Sequence, residues 1–277
     1  MRNRNDEDEE EEEAITLCQG LLSANRYEDA YPFLARLVAR DSTNTLANLM
    51  LAETYYETQK YSYAAHTYSS FLETFGQSPF VIRRLSLCYG KMGKKADFET
   101  AISLMRRYFT LAKDTSSEDL ENLGTWYYNL SKFDSAEVYF RSTVERDSLD
   151  AQARLNLGLA LLQLGELKDA IDNMKFAYAL SKNTLTFSLS VLKGITAAEM
   201  RQNNYDEVIR SYRRVLEIDP EDGEAMYGLG LAYDQSRRFK EAVHWYKEFV
   251  AMEHGSGMND PFEEYAKRRI KEISTEK

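Results

Sequence analysis

The sequence predicts an all-α fold of about seven repeated helix-turn-helix units, followed by one further helix at the C-terminal end. Three observations support this prediction. Small residues recur in one column at steps of 34 or 38 residues, and a second column of small residues follows it. Proline and glycine are scarce, with 4 and 13 in 277 residues. A fixed period of this size is typical of stacked units that bury their apolar faces against one another.

The two columns predict where the paired helices approach each other closely. The first-helix column consists of Cys18, Ala52, Ser86, Gly124, Gly158, Thr196 and Gly230, each preceded by leucine or isoleucine. The second-helix column consists of Ala30, Ala64, Ala101, Ala136, Ala170, Val208 and Ala242. Because the distance between packed helices depends on the side chains at the contact, small residues in both columns favour close crossings.

The columns divide the chain into units in order. We expect these units at residues 11–44, 45–78, 79–116, 117–150, 151–188, 189–222 and 223–256. The two 38-residue steps predict longer connections, one around Gly93–Ala96 and one as an extended exit at residues 181–188. Ser116 and Ser117 are candidate N-caps for the fourth unit. Glu199 and Val208 depart from the repeated pattern, so we expect a distorted sixth unit.

The N-terminal end is an acidic tail, predicted at residues 1–10. Residues 1–13 hold eight acids and two arginines, a net charge of −6, out of −10 for the whole chain. One interpretation is a solvated end whose last glutamates suit the start of the first helix. The alternative is a tail that binds a basic partner.

The C-terminal segment, residues 257–277, is predicted to be a capping helix over the last unit. Gly255 and Gly257 end the preceding helix, Asp260 is the expected N-cap and Pro261 the first helical residue. A partial apolar stripe follows, formed by Phe262, Tyr265, Ala266, Ile270 and Ile273. A basic amphipathic helix that lies on a membrane is the alternative interpretation.

Composition excludes several classes of function. The rest of the chain has 33 basic and 37 acidic residues, so there is no electrostatic footprint for nucleic acid. No apolar run reaches the length of a membrane helix, and no signal peptide is visible. We therefore expect a cytoplasmic protein, or a periplasmic one if a signal segment was removed. Cys18 and Cys88 lie two units apart and are expected to be buried thiols.

The units resemble those of the tetratricopeptide repeat family over residues 11–256. The matching motifs include Leu123-Gly124 with Tyr127 in a first helix and Ala136 with Phe140 in a second helix. The late proline of the family pattern survives only as Pro220. The resemblance implies an α-α superhelix, a tetratricopeptide repeat solenoid, whose first helices line a concave groove.

The register implied by this resemblance gives candidate groove residues. They are Leu49, Tyr56, Arg83, Leu87, Asn122, Tyr128, Leu155, Asn156, Leu159 and Tyr227. Apolar and tyrosine side chains would supply contact area, and the two asparagines could bond a peptide backbone. The alternative is that these residues pack against their own unit's second helix or the C-terminal helix. The lysine and asparagine pattern of the family's carboxylate clamp is not matched, because Arg83 pairs with Leu87 and Lys193 with Ala197.

The sequence supports no catalysis and no cofactor. The three histidines are scattered, and no HExxH or CxxC motif is present, so neither a metal site nor a catalytic site is expected. The leading hypothesis is a non-catalytic scaffold that binds a protein or peptide segment in the groove. The alternatives are a regulatory subunit or domain of a separate enzyme or assembly, and a structural protein that forms homo-oligomers.

Overall fold

The computed structural model describes residues 4–112, 115–180, 185–252 and 261–275, and within these ranges the secondary structure is helical with no strand. The helices are α1 (Arg4–Ser23), α2 (Tyr27–Arg40), α3 (Thr45–Glu57), α4 (Tyr61–Phe75), α5 (Pro79–Met92), α6 (Lys95–Leu111), α7 (Ser117–Asn129), α8 (Phe133–Arg146), α9 (Ala151–Leu164), α10 (Leu167–Leu180), α11 (Leu185–Arg201), α12 (Tyr205–Ile218), α13 (Gly223–Gln235), α14 (Phe239–Ala251) and α15 (Pro261–Thr275). This confirms the predicted all-α class.

The chain divides into two compact parts, each larger than a single repeat. The first unit is Met1–Lys132 and the second unit is Phe133–Lys277. In the first unit, α1 to α7 pack against one another in chain order, and in the second α8 to α15 do the same. The short connections make consecutive helices within each unit antiparallel. Helix α1 begins at Arg4, inside the segment predicted as an acidic tail.

Most first helices begin with a side-chain cap that the sequence encodes. Asn44, Ser78, Ser116, Asp150 and Asp222 each accept a hydrogen bond from a backbone N–H in the first turn of the helix that follows. Ser116 and Asp119 form a reciprocal capping box, which confirms Ser116 as the N-cap of α7. Such caps fix where each helix starts, since they satisfy donors that the helix itself leaves open.

The small columns are buried at close helix crossings, as the sequence predicts. A Cβ placed on Gly158 would lie 2.6 Å from Cγ of Met174 and 3.1 Å from the carbonyl oxygen of Ala170. A Cβ on Gly230 would lie 2.5 Å from the ring of Tyr246. Every second-helix column residue is fully buried. Only a very small side chain fits the first-helix position at these two crossings.

The turn inside each helix pair adopts one conformation throughout the chain. The residue seven positions after each first-helix column residue has a positive φ, between 56° and 85°. These residues are Asn25, Gln59, Gly93, Ser131, Gly165, Asn203 and Arg237. A single left-handed residue therefore lies in the turn of all seven pairs, although only two of the seven are glycine.

The prediction of longer connections is wrong, because the additional residues are helical. Helices α6 and α11 have 17 residues each, whereas the other helices from α2 to α14 have 13 to 15. Ala101 is the seventh residue of α6, whereas Ala64 and Ala170 are the fourth residues of α4 and α10. Residues 185–188 of the predicted extended exit belong to α11, and residues 181–184 lie outside the described ranges. Each long helix thus carries about one extra turn, of ~3.6 residues.

The sixth helix pair accommodates its departures from the pattern by ionic pairing. Glu199 of α11 occupies the column in which other pairs hold Tyr127, Leu161 and Tyr233, and it is buried. Its carboxylate pairs with Nζ of Lys175 at 3.1 Å and accepts a hydrogen bond from Asn204 at 2.9 Å. Val208 is fully buried.

Helix α15 covers the last helix pair, as predicted for a capping helix. Ala266 and Ile273 are buried against α13 and α14. Arg269 forms a two-pronged ion pair with the buried Asp234 of α13, with N–O distances of 2.8 and 2.7 Å. The helix begins at Pro261; the predicted stop at Gly255 and Gly257 and the predicted N-cap Asp260 lie outside the described residues.

Candidate functional site: the first-helix faces

In the first unit, Tyr56 is the centre of the surface formed by the first helices α3, α5 and α7. Its ring is half-buried, and the guanidinium of Arg84 lies over it at 4.3 Å from the ring centroid. Tyr61 meets the ring edge-on at 5.5 Å between centroids. Burial raises the pKa of Tyr56 to about 12, so its hydroxyl is a neutral donor near neutral pH. Tyr56 therefore offers an apolar ring flanked by a fixed cation.

Arg84 is a central residue of this surface that the sequence analysis missed. Its Nε lies 2.7 Å from Oε1 of Glu53, and a second nitrogen lies 3.3 Å from Glu57. The hydroxyl of Tyr68 also donates to Glu53. Burial lowers the pKa of Arg84 from its ordinary value, and its paired carboxylates are close enough to favour the charged form. Three side chains of α3 thus contact the guanidinium, and Tyr68 of α4 holds one of them, Glu53, in place.

Arg83 is already committed to partners within the first unit. Its Nε lies 2.7 Å from the buried carboxylate of Asp119, and Nη2 lies 2.9 Å from Glu118. These bonds raise the pKa of Arg83 against the opposing effect of burial. Since Asp119 also caps α7, Arg83 links α5 to the start of α7 and is less available to a ligand than the sequence suggested.

The other predicted groove residues of this unit differ in exposure. Leu87 is buried, and Leu49 is half-buried against the core formed around Ala52, Ala64 and Leu85. Asn122 and Tyr128 of α7 are half-buried. The amide of Asn122 has no hydrogen-bond partner among the described residues. Leu46 and Phe80, at equivalent positions of α3 and α5, are 42% and 52% exposed and add apolar surface.

In the second unit, the predicted groove residues are largely used by the fold. Leu155 is buried, and Asn156 accepts a hydrogen bond from Gln152 at 2.9 Å. Leu159 is half-buried, and it lies beside Gly194 of α11, where a Cβ would be 3.5 Å from it. These three residues therefore offer a ligand less than the face of the first unit does.

Tyr227 belongs to an aromatic cluster with the C-terminal helix. Its ring lies 5.2 Å from that of Phe262 and 6.2 Å from that of Tyr265, between centroids. The ring of Phe249 lies 5.3 Å away. Helix α15 thus occupies the surface beside Tyr227, which is the self-packing alternative left open by the sequence.

Among the described residues, no three histidine, cysteine, aspartate or glutamate side chains are grouped so that they could hold a metal ion. Cys18 and Cys88 are buried free thiols, and burial raises the pKa of Cys88 to about 12. Within the described part of the chain, no helix is both long enough and apolar enough to cross a bilayer.

This architecture is that of a known repeat family. Models described as tetratricopeptide repeat match residues 21–79, 122–180 and 198–258, which together are more than half of the chain. The chain belongs to the tetratricopeptide repeat family, whose members generally mediate protein–protein interactions and form a repeat scaffold.

Individual relatives are distant. The chain is 22% identical over 208 residues to the DnaJ homolog subfamily C member 7 homolog of Dictyostelium discoideum, an alignment that covers 69% of this chain and 37% of that protein. The chain spans about a third of the length of the curated relatives it matches first, 37% and 32%. Their whole activities therefore cannot be transferred to it.

Two solved structures show the same fold. The C-terminal part of a tetratricopeptide repeat protein from Cytophaga hutchinsonii has a TM-score of 0.71 at 18% identity, covering 92% of this chain and 99% of that one. YrrB, described as a tetratricopeptide repeat protein with an unusual peptide-binding site, has a TM-score of 0.58 at 15% identity, covering 70% and 96%. At these identities the likeness concerns the fold alone.

Proposed function

We propose that this protein is a non-catalytic interaction module that binds a segment of a partner protein on the first-helix face of its first unit. The general role of the family supports a binding function, and the description of YrrB shows that this fold can carry a peptide site. The near balance of charge outside residues 1–13 supports a protein partner rather than a nucleic acid.

The observation that carries the proposal is the Asn122 amide. It is half-buried and lacks a hydrogen-bond partner within the described residues, whereas Asn156 in the equivalent position of α9 is bonded to Gln152. A partly exposed amide can bond water in the free protein, so a ligand can take over these bonds without breaking one within the fold. An amide that both donates and accepts suits a peptide backbone.

The surroundings of Asn122 define the chemistry of the segment. Arg83 joins α5 to the first turn of α7, and Trp126 of α7 packs closely against Gly90 of α5, so the two helices are neighbours here. Tyr56, Leu46 and Phe80 supply aromatic and aliphatic surface, while the nearby arginines are paired with carboxylates. We therefore expect a mainly apolar segment whose binding weakens only modestly with salt.

The first experiment is capture of the partner with the purified chain, followed by calorimetry with the captured segment. Tyr56→Ala combined with Tyr128→Ala should weaken binding by roughly 2 kcal/mol or more if both are central anchors. Asn122→Ala tests the backbone contact with little change in volume. Tyr63→Ala is the matched control, because Tyr63 is a tyrosine of α4 that is 62% exposed and is not part of the proposed site.

Unchanged affinity in a folded double variant and in Asn122→Ala would exclude this face as the site. Capture of a catalytic chain that then changes its activity would favour the alternative of a regulatory subunit. The first result would move the binding site to another surface, and the second would change the role proposed for the chain.

A further inference from the structure

The second unit carries a cleft that is separate from the first-helix face of the first unit. It has a volume of about 650 Å³ and lies between the start of α14 and the end of α15. Its apolar lining comes from Phe239, Val243 and Ile273, and Phe239 is 38% exposed. Three cations, Arg237, Arg238 and Lys240, share its lining with one acid, Glu241. The cleft thus combines an apolar lining with a basic rim.

Two of these cations are not neutralised within the described chain. Arg238 pairs with Asp206 of α12, but Arg237 and Lys240 have no carboxylate partner among the described residues. Arg237 and Lys240 are both exposed. Arg237 is also the only cation at the left-handed position of the seven turns. An approaching negative charge would therefore meet two available cations beside an apolar lining.

At two places in the chain, an ion pair joins this position to the following turn. Glu28, three residues after the turn residue Asn25, pairs with Lys60, the residue after the next turn residue. Asp206, three residues after Asn203, pairs with Arg238 in the same way. Lys240 stands three residues after Arg237, where those two pairs have an acid, and Lys168 stands at the same position after Gly165. Whatever docks beside the last turn should therefore be acidic at this point.

The chain itself contains a segment of matching chemistry at its other end. Glu10, Glu13 and Leu17 of α1 are spaced by three and four residues, so they share one face of the helix. All three are exposed, and Leu17 is 47% exposed. This face presents two carboxylates followed by an aliphatic side chain.

We propose that α1 of one copy docks in this cleft of a second copy. Leu17 then contacts the lining formed by Phe239, Val243 and Ile273, and Glu10 and Glu13 pair with Arg237 and Lys240. A plain continuation of the repeat stack is disfavoured, because it would bring the next turn's cation, Arg26, beside Lys240. The contact joins different surfaces of the two copies, so each copy retains one free surface for a further copy.

The test is the mass of the full-length protein in solution, measured by light scattering over a range of concentrations at low and high salt. We expect the mass to rise with concentration at low salt and to fall towards the monomer at high salt, since the pairs are exposed. Arg237→Glu with Lys240→Glu should weaken association by about tenfold or more, and so should Glu10→Lys with Glu13→Lys.

Two further measurements of association test whether these particular charges form the contact. A mixture of the two reversed variants should regain association, because each supplies the surface that the other lacks. Lys168→Glu is the matched control, since Lys168 is an exposed lysine at the position equivalent to Lys240 in the fifth helix pair, and it should associate like the wild type. A chain that stays monomeric at low salt, or reversed variants that associate unchanged, would overturn the proposal. Neither result would affect the proposed binding of a partner segment at Tyr56 and Asn122.

Discussion

At the scale of single residues, Glu199 illustrates how the repeat tolerates a buried charge. Its side chain is 3% exposed and depends on Lys175 and Asn204 for its bonds. A buried carboxylate is costly when it loses its partner, whereas an apolar residue of similar volume at the same place is often neutral or stabilising. An apolar residue fits at this repeat position, because Leu161 occupies the equivalent position in α9.

The prediction that follows compares two substitutions of this pair. Lys175→Met should lower the free energy of unfolding by about 1–3 kcal/mol, because it leaves the carboxylate of Glu199 without its cation. Glu199→Leu should change it by less, since no buried charge remains. Urea denaturation of both variants measures the difference. A Lys175→Met protein as stable as the wild type would show that the pair contributes nothing.

The sequence predicted residue positions better than residue partners. The close crossings at Gly158 and Gly230 followed from the spacing of small residues, because a repeat places its tight contacts at a fixed period. The contact of Arg84 with Tyr56 did not, because it joins residues 28 positions apart on different helices. Arg84 stands at the same repeat position as Asn122 and Asn156, so that position was the signal that could have identified it. Asn122 was predicted as a site residue, and its role stays a prediction.

At the scale of elements, α15 depends on one ionic contact and a short apolar stripe. Arg269 reaches the buried Asp234, and Tyr246 donates a longer hydrogen bond of 3.4 Å to the same carboxylate. The adjacent Arg268 has a side chain that is 66% exposed and lies 3.8 Å from Glu272. The two arginines therefore differ in burial and partner although they neighbour each other in sequence.

This difference predicts opposite outcomes for one substitution made at two places. Arg269→Met should destabilise the docking of α15 by about 2 kcal/mol or more, because it strands the buried carboxylate of Asp234. Arg268→Met should have little effect, since exposed pairs contribute about 0–1 kcal/mol. Hydrogen exchange in α15 reports the docking directly. Equal protection of α15 in both variants would contradict the view that Arg269, and not Arg268, holds α15 in place.

The sequence predicted α15 as a cap over the last repeat but not the contacts that hold it there. The stripe from Phe262 to Ile273 indicated an amphipathic helix, whereas the pairing of Arg269 with Asp234 could not be deduced from periodicity alone. The connection lengths were wrong for a similar reason. A spacing of 38 residues states how many residues are added, whereas their helical propensity and packing decide whether they extend a loop or a helix.

At the scale of the whole molecule, burial of tyrosines and cysteines makes stability sensitive to alkali. Burial raises the pKa of Tyr55, Tyr56 and Tyr212 to about 12 from 10.0, and that of Cys88 to about 12 from 9.0. The pKa of Tyr68 and that of Tyr246 are raised further, also by burial. Each group keeps its proton longer in the folded chain than in the unfolded chain.

Folding stability should fall as the pH rises, because these groups bind protons more tightly in the folded chain than in the unfolded chain. Because these folded pKa values lie above the unfolded ones, the stabilisation is fully present below the unfolded values of 9.0 and 10.0 and is lost as the pH rises towards about 12. We expect the urea midpoint to fall steadily across that window. A midpoint that stays constant there would contradict the burial of these side chains. Alkylation of Cys88 in the folded chain should also be slow, since the thiolate is the reactive form.

The extra turns of α6 and α11 determine which changes in length such an array accepts. An α-helix has ~3.6 residues per turn, so adding three or four residues leaves the apolar stripe within about 60° of its original direction. Adding two would rotate everything beyond the insertion by about 200° and turn polar residues inward. Insertions and deletions within the packed helices should therefore come in whole turns, and gaps of three or four residues in an alignment of related chains can lie inside helices as well as between them.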